Sequence, residues 1–153
     1  MGYETALSRT AAMCSTSEHC IHELREKMTR WGVEEDDIDR VIDYLVDEKY
    51  VDESRFCRAY ANDKLRYNHW GRIKISQMLY AMHLGKDDIA QGLDSINEDE
   101  YTTILNDVLT QKAKGIKADS DYERNGKLIR FALGRGFEMD LILKALHAED
   151  FEY

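Results

Sequence analysis

The chain has 153 residues, of which 43% are hydrophobic and 33% are charged, and its formal net charge is −9. No apolar run approaches the roughly 18 residues that a membrane-spanning helix needs, and the first residues show neither the basic nor the apolar segment of a secretory signal. We therefore expect a cytoplasmic protein without membrane contact, whose three cysteines stay reduced and form no disulfide.

Helical periodicity dominates the sequence. Proline is absent, and apolar residues recur at intervals of three or four positions, as at Ile38, Val41, Ile42 and Leu45. Alternation of apolar and polar residues nowhere lasts long enough to predict a strand. The pattern predicts an all-α chain.

Nine helices are predicted in chain order, each from a run of helical periodicity and from the residues that flank it. Acidic residues at positions 34–37 favour a helix start there, because the N-terminus of a helix attracts negative charge. The predicted ranges are 6–13, 17–31, 34–49, 52–67, 70–84, 86–96, 98–114, 120–134 and 138–147.

Three glycines indicate a repeat. Gly32, Gly85 and Gly136 each follow one helical pattern and precede another, which is typical of glycine just beyond a helix C-terminus. They lie 53 and 51 residues apart. A period of about 50 residues with three helices per period predicts tandem helical modules. We assign them to residues 1–52, 53–97 and 98–153.

Positive charge is concentrated in two segments of this acidic chain. Residues 53–86 hold seven basic and two acidic residues, and residues 112–144 hold eight basic and five acidic residues. Residues 87–111 hold seven acidic residues and no basic one. The two basic segments are therefore the candidates for contact with an acidic protein or a nucleic acid.

The predicted helix 52–67 carries a basic stripe. At about 100° per residue, Arg55, Arg58, Asn62 and Arg66 fall within an arc of about 80°, so they share one face. If the opposite aromatic side faces the core, this stripe faces outward. Three aromatic residues lie about 120° from the stripe and are predicted to face the core: Phe56, Tyr60 and Tyr67.

The next predicted helix has a mixed outer face. Arg72, Ile73 and Tyr80 are predicted on or near its outer side, with Lys74 close by in sequence. An aliphatic and a tyrosine beside basic groups suit a protein or nucleoprotein partner. The residues predicted to face inward are Ile75, Met78, Leu79 and Met82.

The same residues have a simpler interpretation. A cationic stripe on a helix is often a solvated face. Trp70 is predicted to pack at a helix start and not to stack on a nucleic-acid base. Phe131 and Phe137 are likewise assigned to a core.

Enzyme chemistry finds little support in the sequence. The glycines mark helix junctions and form no phosphate-binding loop of the GxxxxGK[ST] type. Cys14, His19, Cys20 and His22 are close in sequence, but their spacing matches no closed four-ligand zinc pattern. We therefore expect no enzyme, no cofactor and no bound metal.

Two stretches resemble one known family. The run KYVDESRFCRAYANDKLRYNHWGRIKISQMLYAMHLG, residues 49–85, is similar to the central module of RecX proteins, which regulate RecA recombinase filaments. The similar features are an aromatic-aliphatic-Asp turn ending at Asp52, an Arg-Phe pair at Arg55 and Phe56, and the Trp70-Gly71 pair that precedes Arg72.

The second stretch, GKLIRFALGRGFEMDLILKAL at residues 126–146, resembles the last repeat of the same family. The two stretches occur in the order that the family shows. The matching core of the second stretch is Arg130, Phe131, Arg135, Gly136 and Phe137.

The resemblance implies three tandem three-helix modules in an elongated, curved array. It implies a monomeric inhibitor that binds RecA filaments on single-stranded DNA and limits filament extension, ATP hydrolysis and strand exchange, in DNA repair by homologous recombination and in the SOS response. Single-stranded DNA within the filament is a second candidate contact. The residues that we assign to RecA or nucleoprotein binding are Arg55, Arg58, Arg66, Arg72, Ile73, Lys74, Tyr80, Lys127, Arg130 and Arg135.

Two alternatives stay open. In the first, the chain is a helix-turn-helix DNA-binding module that acts without RecA and inserts the predicted helix 70–84 into the major groove. That function predicts tight, salt-sensitive binding to duplex DNA. In the second, the chain is an adaptor whose basic patch binds an acidic protein unrelated to recombination.

Overall fold

The computed structural model describes residues 1–149, and within that range it contains nine α-helices and no strand. The predicted all-α fold is confirmed. The last four residues of the predicted third module, 150–153, lie outside the described residues.

The helices follow one another through short connections. Their bounds are α1 Tyr3–Thr16, α2 Ile21–Arg30, α3 Glu35–Asp47, α4 Glu53–Asn68, α5 Arg72–Ala81, α6 Lys86–Asp94, α7 Glu98–Gly115, α8 Asp121–Gly134 and α9 Met139–Glu149.

Contacts between residues divide the chain into two compact units. The first unit comprises Met1–Ala59 and Leu79–Gly92, and the second comprises Tyr60–Met78 and the chain from Leu93 onward. Each unit therefore contains part of α4 and part of α5. The predicted boundaries of the three modules stay a prediction, because this division follows contacts and not the sequence repeat.

The core of the first unit lies among α1, α2 and α3. Leu24 and Met28 of α2 are fully buried there, together with Val41 and Leu45 of α3 and Ala6 of α1. Burying a leucine or methionine side chain stabilises a fold by about 1.5–3 kcal/mol. The helical spacing of these residues thus brings the three helices together.

The core of the second unit lies among α7, α8 and α9. Tyr101, Leu128, Phe137 and Ile142 are fully buried in it. Two of its helices start at side-chain caps, because the Asn97 side chain accepts a hydrogen bond from the Glu100 N–H and Ser120 accepts one from the Glu123 N–H. Such caps satisfy backbone donors that the helix itself leaves unpaired.

Several predicted helix bounds are wrong by a few residues. Helix α2 begins at Ile21 and not at 17, because Cys20 is its N-cap and the Glu23 side chain accepts a hydrogen bond from the Cys20 N–H at 3.2 Å. Helix α5 is shorter at both ends than the predicted 70–84. Trp70 and Gly71 precede it, and the left-handed His83 (φ 63°) terminates the turn that follows it.

The prediction for one of the three repeat glycines is also wrong. Gly32 and Gly136 have positive φ, of 80° and 94°, as expected beyond a helix C-terminus. Gly85 does not, since His83 takes the left-handed conformation in that module. The Gly85 carbonyl instead accepts a hydrogen bond from the Ile89 N–H at 3.0 Å, in the first turn of α6.

Two residues predicted to face a core are exposed. Tyr67 is 79% exposed and Met78 is 40% exposed, whereas Leu65 and Ile75 are fully buried. The buried residues of α4 are Phe56, which was predicted to face the core, and Cys57, Ala61 and Leu65, which lie at intervals of four residues. The prediction followed the large aromatic side chains and therefore missed the buried face that the smaller residues Cys57 and Ala61 form.

Candidate functional site

Two arginines of the basic stripe of α4, Arg55 and Arg66, are paired with acidic residues of the protein itself. Arg55 Nε donates to Glu18 Oε1 at 2.5 Å, and Arg55 Nη2 lies 3.2 Å from the Lys49 carbonyl oxygen. The bond to Glu18 raises the pKa of Arg55. Arg55 thus ties α4 to the segment that precedes α2 and to the end of α3.

Arg66 is held in the same way within the second unit. Its guanidinium donates to both Glu100 carboxylate oxygens, at 2.9 and 3.1 Å. This fork geometry is the preferred one for an arginine and a carboxylate. The bonds from Arg66 lower the pKa of Glu100.

Arg72 is largely buried, with a side chain only 18% exposed. Its guanidinium pairs with Glu98 and Glu138, at 2.9 Å to Glu138 Oε2, and its Cζ lies 3.9 Å from the Tyr101 ring centroid. Its backbone N–H donates to the Tyr101 hydroxyl at 3.0 Å, and that hydroxyl donates to Glu138. The predicted outward position of Arg72 is wrong.

The ionisation of this cluster follows from its burial and its bonds. Burial is the largest single influence on Arg72 and disfavours its charge, but the hydrogen bond to Glu138 and the electrostatic attraction of Glu138, Tyr101 and Glu98 together outweigh it and raise the pKa of Arg72. Burial, then the bond to Glu138, raises the pKa of Tyr101, so its hydroxyl stays protonated as a donor. Arg72 therefore organises the interior of the second unit.

The predicted outer residues of α5 are exposed. Ile73 and Tyr80 are 45% and 53% exposed. The Lys74 ammonium lies 4.7 Å from the centroid of the Trp70 ring, and the Lys64 ammonium lies 5.0 Å from the same centroid. Trp70 is half-buried beneath these two cations.

Arg58 lies on the exposed face of α4. Its Nη1 donates to the Ser54 hydroxyl at 2.8 Å, and that hydroxyl donates to Gln91 Oε1 at 2.8 Å. The Ser54 hydroxyl and the Gln91 side-chain amide are neutral groups.

The remaining predicted residues surround Phe131 in the second unit. Lys127, Arg130 and Phe131 line a cavity of about 650 Å³, and Arg135 lines a neighbouring one that also contacts Phe131. The Arg135 guanidinium carbon lies 5.4 Å from the Phe131 ring centroid. The structure thus brings these predicted residues together.

The sequence interpretation missed the acidic partners and two further lysines. Glu18, Glu98, Glu100 and Glu138 lie far along the chain from the arginines that they bind, so no local pattern reveals them. The lysines, Lys112 and Lys117, line the same cavity as Arg130. The excess of basic residues in 112–144 was the signal that could have found them.

The cysteine and histidine side chains near α2 are buried or bonded to residues of the protein, and they are not arranged around a metal. Cys20 and Cys57 are fully buried, and burial raises the pKa of each to about 12. His19 Nε2 lies 3.0 Å from the Ser17 hydroxyl, and His22 Nε2 lies 3.2 Å from a Glu26 oxygen. Across residues 1–149, no three His, Cys, Asp or Glu side chains are grouped as metal ligands.

Helices in the described part of the chain are all too short or too polar to cross a bilayer. The fold instead defines a protein of tandem three-helix domains, a class in which extended surfaces contact partners. Family models for the first, second and third three-helix domains of RecX match residues 6–45, 52–93 and 98–146. The chain belongs to the RecX family of regulatory proteins.

Individual relatives agree with the family models. The regulatory protein RecX of Vibrio parahaemolyticus is 30% identical over 148 residues, which cover 95% of this chain and 94% of that protein. The RecX of Clostridium perfringens is 35% identical over 122 residues, which cover 77% of this chain and 56% of the relative.

Solved structures show the same fold. The crystal structure of RecX from Lactobacillus salivarius matches with a TM-score of 0.84 at 16% identity, covering 97% of both chains. A second RecX crystal structure also gives a TM-score of 0.84, at 14% identity, and covers 95% of this chain and 73% of that chain. The tandem three-helix architecture is therefore common to these proteins despite low identity.

Proposed function

We propose that this protein binds RecA filaments on single-stranded DNA and inhibits filament extension, ATP hydrolysis and strand exchange. The observation that carries the proposal is the match of all three RecX domain models, in order, across most of the chain. The protein acts as a monomer in the cytoplasm and has no enzymatic activity or cofactor of its own.

The exposed residues support contact with a protein partner. In the first unit, Arg58 and Tyr80 present a guanidinium and a phenol on exposed helix faces. In the second unit, Ile73 is exposed and is followed in sequence by Lys74. Tyrosine and arginine supply much of the binding energy at protein interfaces, so these residues are our candidate RecA contacts.

Three arginines of the predicted set have a different role in the proposal. Arg55, Arg66 and Arg72 hold carboxylates of the same unit, so binding RecA through them would require these ion pairs to break. We therefore assign them to holding the fold in the bound protein. The predicted residues of the last repeat, Lys127, Arg130 and Arg135, retain their assignment to nucleoprotein binding.

The test is a titration of RecA, from the same source as this protein, in a single-stranded-DNA-dependent ATPase assay. Inhibition by fewer protein molecules than RecA monomers is the expected result, because one bound molecule would affect a filament of many subunits. Unchanged ATP hydrolysis up to a molar excess would overturn the proposal. Light scattering should give the monomer mass of 17.8 kDa.

The helix-turn-helix alternative gives the opposite result in the same experiment. It predicts tight duplex binding without any effect on RecA. The structure gives it limited support, because α5 carries just two cations, Arg72 and Lys74, and Arg72 is committed to Glu98 and Glu138. The adaptor hypothesis predicts neither RecA inhibition nor DNA binding.

A further inference from the structure

A basic cavity lies between α7 and α8 in the second unit. Its volume is about 650 Å³, and we call it the α7–α8 cavity. It is bounded by the last turns of α7, by the segment that follows α7, and by one face of α8. Its lining residues are Lys112, Gly115, Ile116, Lys117, Lys127, Arg130 and Phe131.

The lining has four cations and no carboxylate. Lys127 is partly neutralised, since its ammonium lies 3.4 Å from Glu123 and donates to the Lys117 carbonyl at 2.8 Å. Lys112, Lys117 and Arg130 are exposed and form no ion pair with any residue in the range 1–149. Three cations of the cavity thus remain without an acidic partner in a protein of net charge −9.

Phe131 also lines a second cavity next to the first. The neighbouring cavity, of about 340 Å³, shares Lys112 and Phe131 with the first and adds Arg135, His69 and the acidic Asp107. The Lys112 ammonium and the Arg135 guanidinium carbon lie 4.7 and 5.4 Å from the Phe131 ring centroid. The half-buried Phe131 ring therefore lines both hollows and contacts one cation from α7, Lys112, and one at the C-cap of α8, Arg135.

We propose that the α7–α8 cavity binds the phosphate groups of a single-stranded polynucleotide. This deepens the proposed function by naming the contact that the second unit makes with nucleic acid, and it rests on that function for its setting in a filament. A basic groove next to an aromatic side chain is the arrangement with which proteins follow a single-stranded backbone. A flexible strand can bend into adjoining hollows, whereas duplex DNA is stiff over about 150 base pairs.

The distribution of the cations favours a chain over a single phosphate ion. Lys112 comes from α7, Lys117 from the connecting segment, and Lys127 and Arg130 from α8. The cavity is wide open to solvent, so it can admit a strand, and the neighbouring hollow adds Arg135 to the cationic lining and also contains Asp107. Successive phosphates of one strand can satisfy several of these cations at once, and each contact releases counterions.

The experiment is fluorescence anisotropy of a labelled 20-residue oligo-dT strand with the full chain at low salt and without RecA. The test variant replaces two of the three cations that lack an acidic partner, Lys117→Ala with Arg130→Ala, and keeps Lys112 over the Phe131 ring. The matched control is Lys86→Ala with Lys144→Ala, which removes the same charge from exposed positions outside the cavity. Circular dichroism and melting confirm that both variants fold.

We expect the test variant to bind the strand about tenfold more weakly. Its affinity should also depend less on salt. The slope of log K against log salt should fall in magnitude by about 1.4, because two phosphate contacts are lost. The control should bind within about twofold of the parent protein. Equal weakening in both variants would overturn the proposal, because it would show general charge attraction. Two further results would overturn it. One is that millimolar inorganic phosphate or dTMP competes as effectively as the unlabelled strand. The other is that a duplex of the same length binds with equal affinity.

The assay separates this proposal from the proposed function. Strand binding that depends on Lys117 and Arg130, without inhibition of RecA, would support the cavity and contradict the filament regulator. Inhibition of RecA with no loss of strand binding in the test variant would support the regulator and overturn the cavity assignment.

Discussion

Gly71 and Gly136 lie backbone against backbone in the second unit, far apart in sequence. The Gly71 N–H donates to the Arg135 carbonyl at 2.8 Å, and the Ile73 N–H donates to the Gly136 carbonyl at 3.0 Å. A Cβ on Gly71 would overlap the Gly136 carbonyl, and one on Gly136 would overlap the Lys74 backbone. The start of α5 and the turn after α8 are thus joined by contacts that tolerate no side chain.

The first prediction concerns this junction. Gly71→Ala should destabilise the protein by about 1–3 kcal/mol, because the atoms that its methyl group meets are backbone and cannot rotate away. Denaturant unfolding followed by circular dichroism measures the change. Gly126→Ala is the control. Its methyl would meet the Arg130 side chain at an ordinary 3.5 Å, so replacing a mid-helix glycine should stabilise α8 by about 0.5–1 kcal/mol. A loss of equal size at both positions would contradict the argument.

The second prediction concerns Arg72. Arg72→Ala should cost roughly 1–3 kcal/mol, since it leaves the half-buried Glu138 without its cation and removes the guanidinium from the Tyr101 ring. Arg72→Lys should recover only part of the loss, because an ammonium cannot bond both Glu98 and Glu138 in the same plane. Thermal and denaturant unfolding measure both variants.

Arg66→Ala is the matched control for that prediction. Arg66 forms an ion pair of similar geometry, with Glu100, but on an exposed surface where solvent screens the interaction. Its loss should change stability little. If Arg66→Ala destabilised the protein as much as Arg72→Ala, the assignment of Arg72 to the interior of the second unit would be wrong.

The third prediction concerns Glu53 and pH. Burial raises the pKa of the Glu53 carboxyl above its usual 4.5; a hydrogen bond from the Ile21 N–H at 3.2 Å opposes this rise, and nearby Asp88 adds to it. Because the folded-state pKa is the higher one, the stability that this group contributes is full below pH 4.5 and is lost as the pH rises through the folded-state pKa. Glu53→Gln removes this loss and keeps an oxygen acceptor for Ile21.

The melting temperature of Glu53→Gln, relative to the parent protein, should therefore increase between pH 4 and pH 7.

Glu100→Gln should behave in the opposite way. Bonding from Arg66 lowers the pKa of Glu100, so its contribution is present above pH 4.5 and is lost as the pH falls through the folded-state pKa. The Gln variant at position 100 should be slightly less stable than the parent at pH 7, by less than Arg72→Ala, because the pair is exposed, and it should match the parent in strong acid. Parallel pH profiles for the two variants would refute the assigned signs.

Local patterns in the sequence were enough to predict the helices. The periodicity of α3, α7 and α8 comes from one apolar face in each helix, so the segments and the all-α fold were predictable. Helix ends were less so, because Cys20 is a weak signal for an N-cap and His83 a weak signal for a left-handed turn. Glycine was expected in that role, and in the middle module a histidine takes it.

The candidate site was harder to predict because its charges are paired across the fold. The helical angle placed Arg55, Arg58 and Arg66 on one face, but it carries no information on which carboxylates approach that face. Arg72 pairs with Glu138, which lies in another module of the sequence repeat. Whether an arginine is available for a partner therefore depends on tertiary contacts.

The last prediction tests the proposed RecA contacts. Tyr80→Ala and Ile73→Ala, each made alone, should raise the concentration of protein that half-inhibits RecA ATP hydrolysis by about tenfold, as removal of an interface anchor does. Both side chains are about half exposed, at 53% and 45%, so melting should change little. Tyr122→Ala and Leu143→Ala are the matched controls, since they remove an exposed tyrosine and an exposed aliphatic from other helices. Controls that weaken inhibition as much as Tyr80→Ala and Ile73→Ala would show that the contacts lie elsewhere.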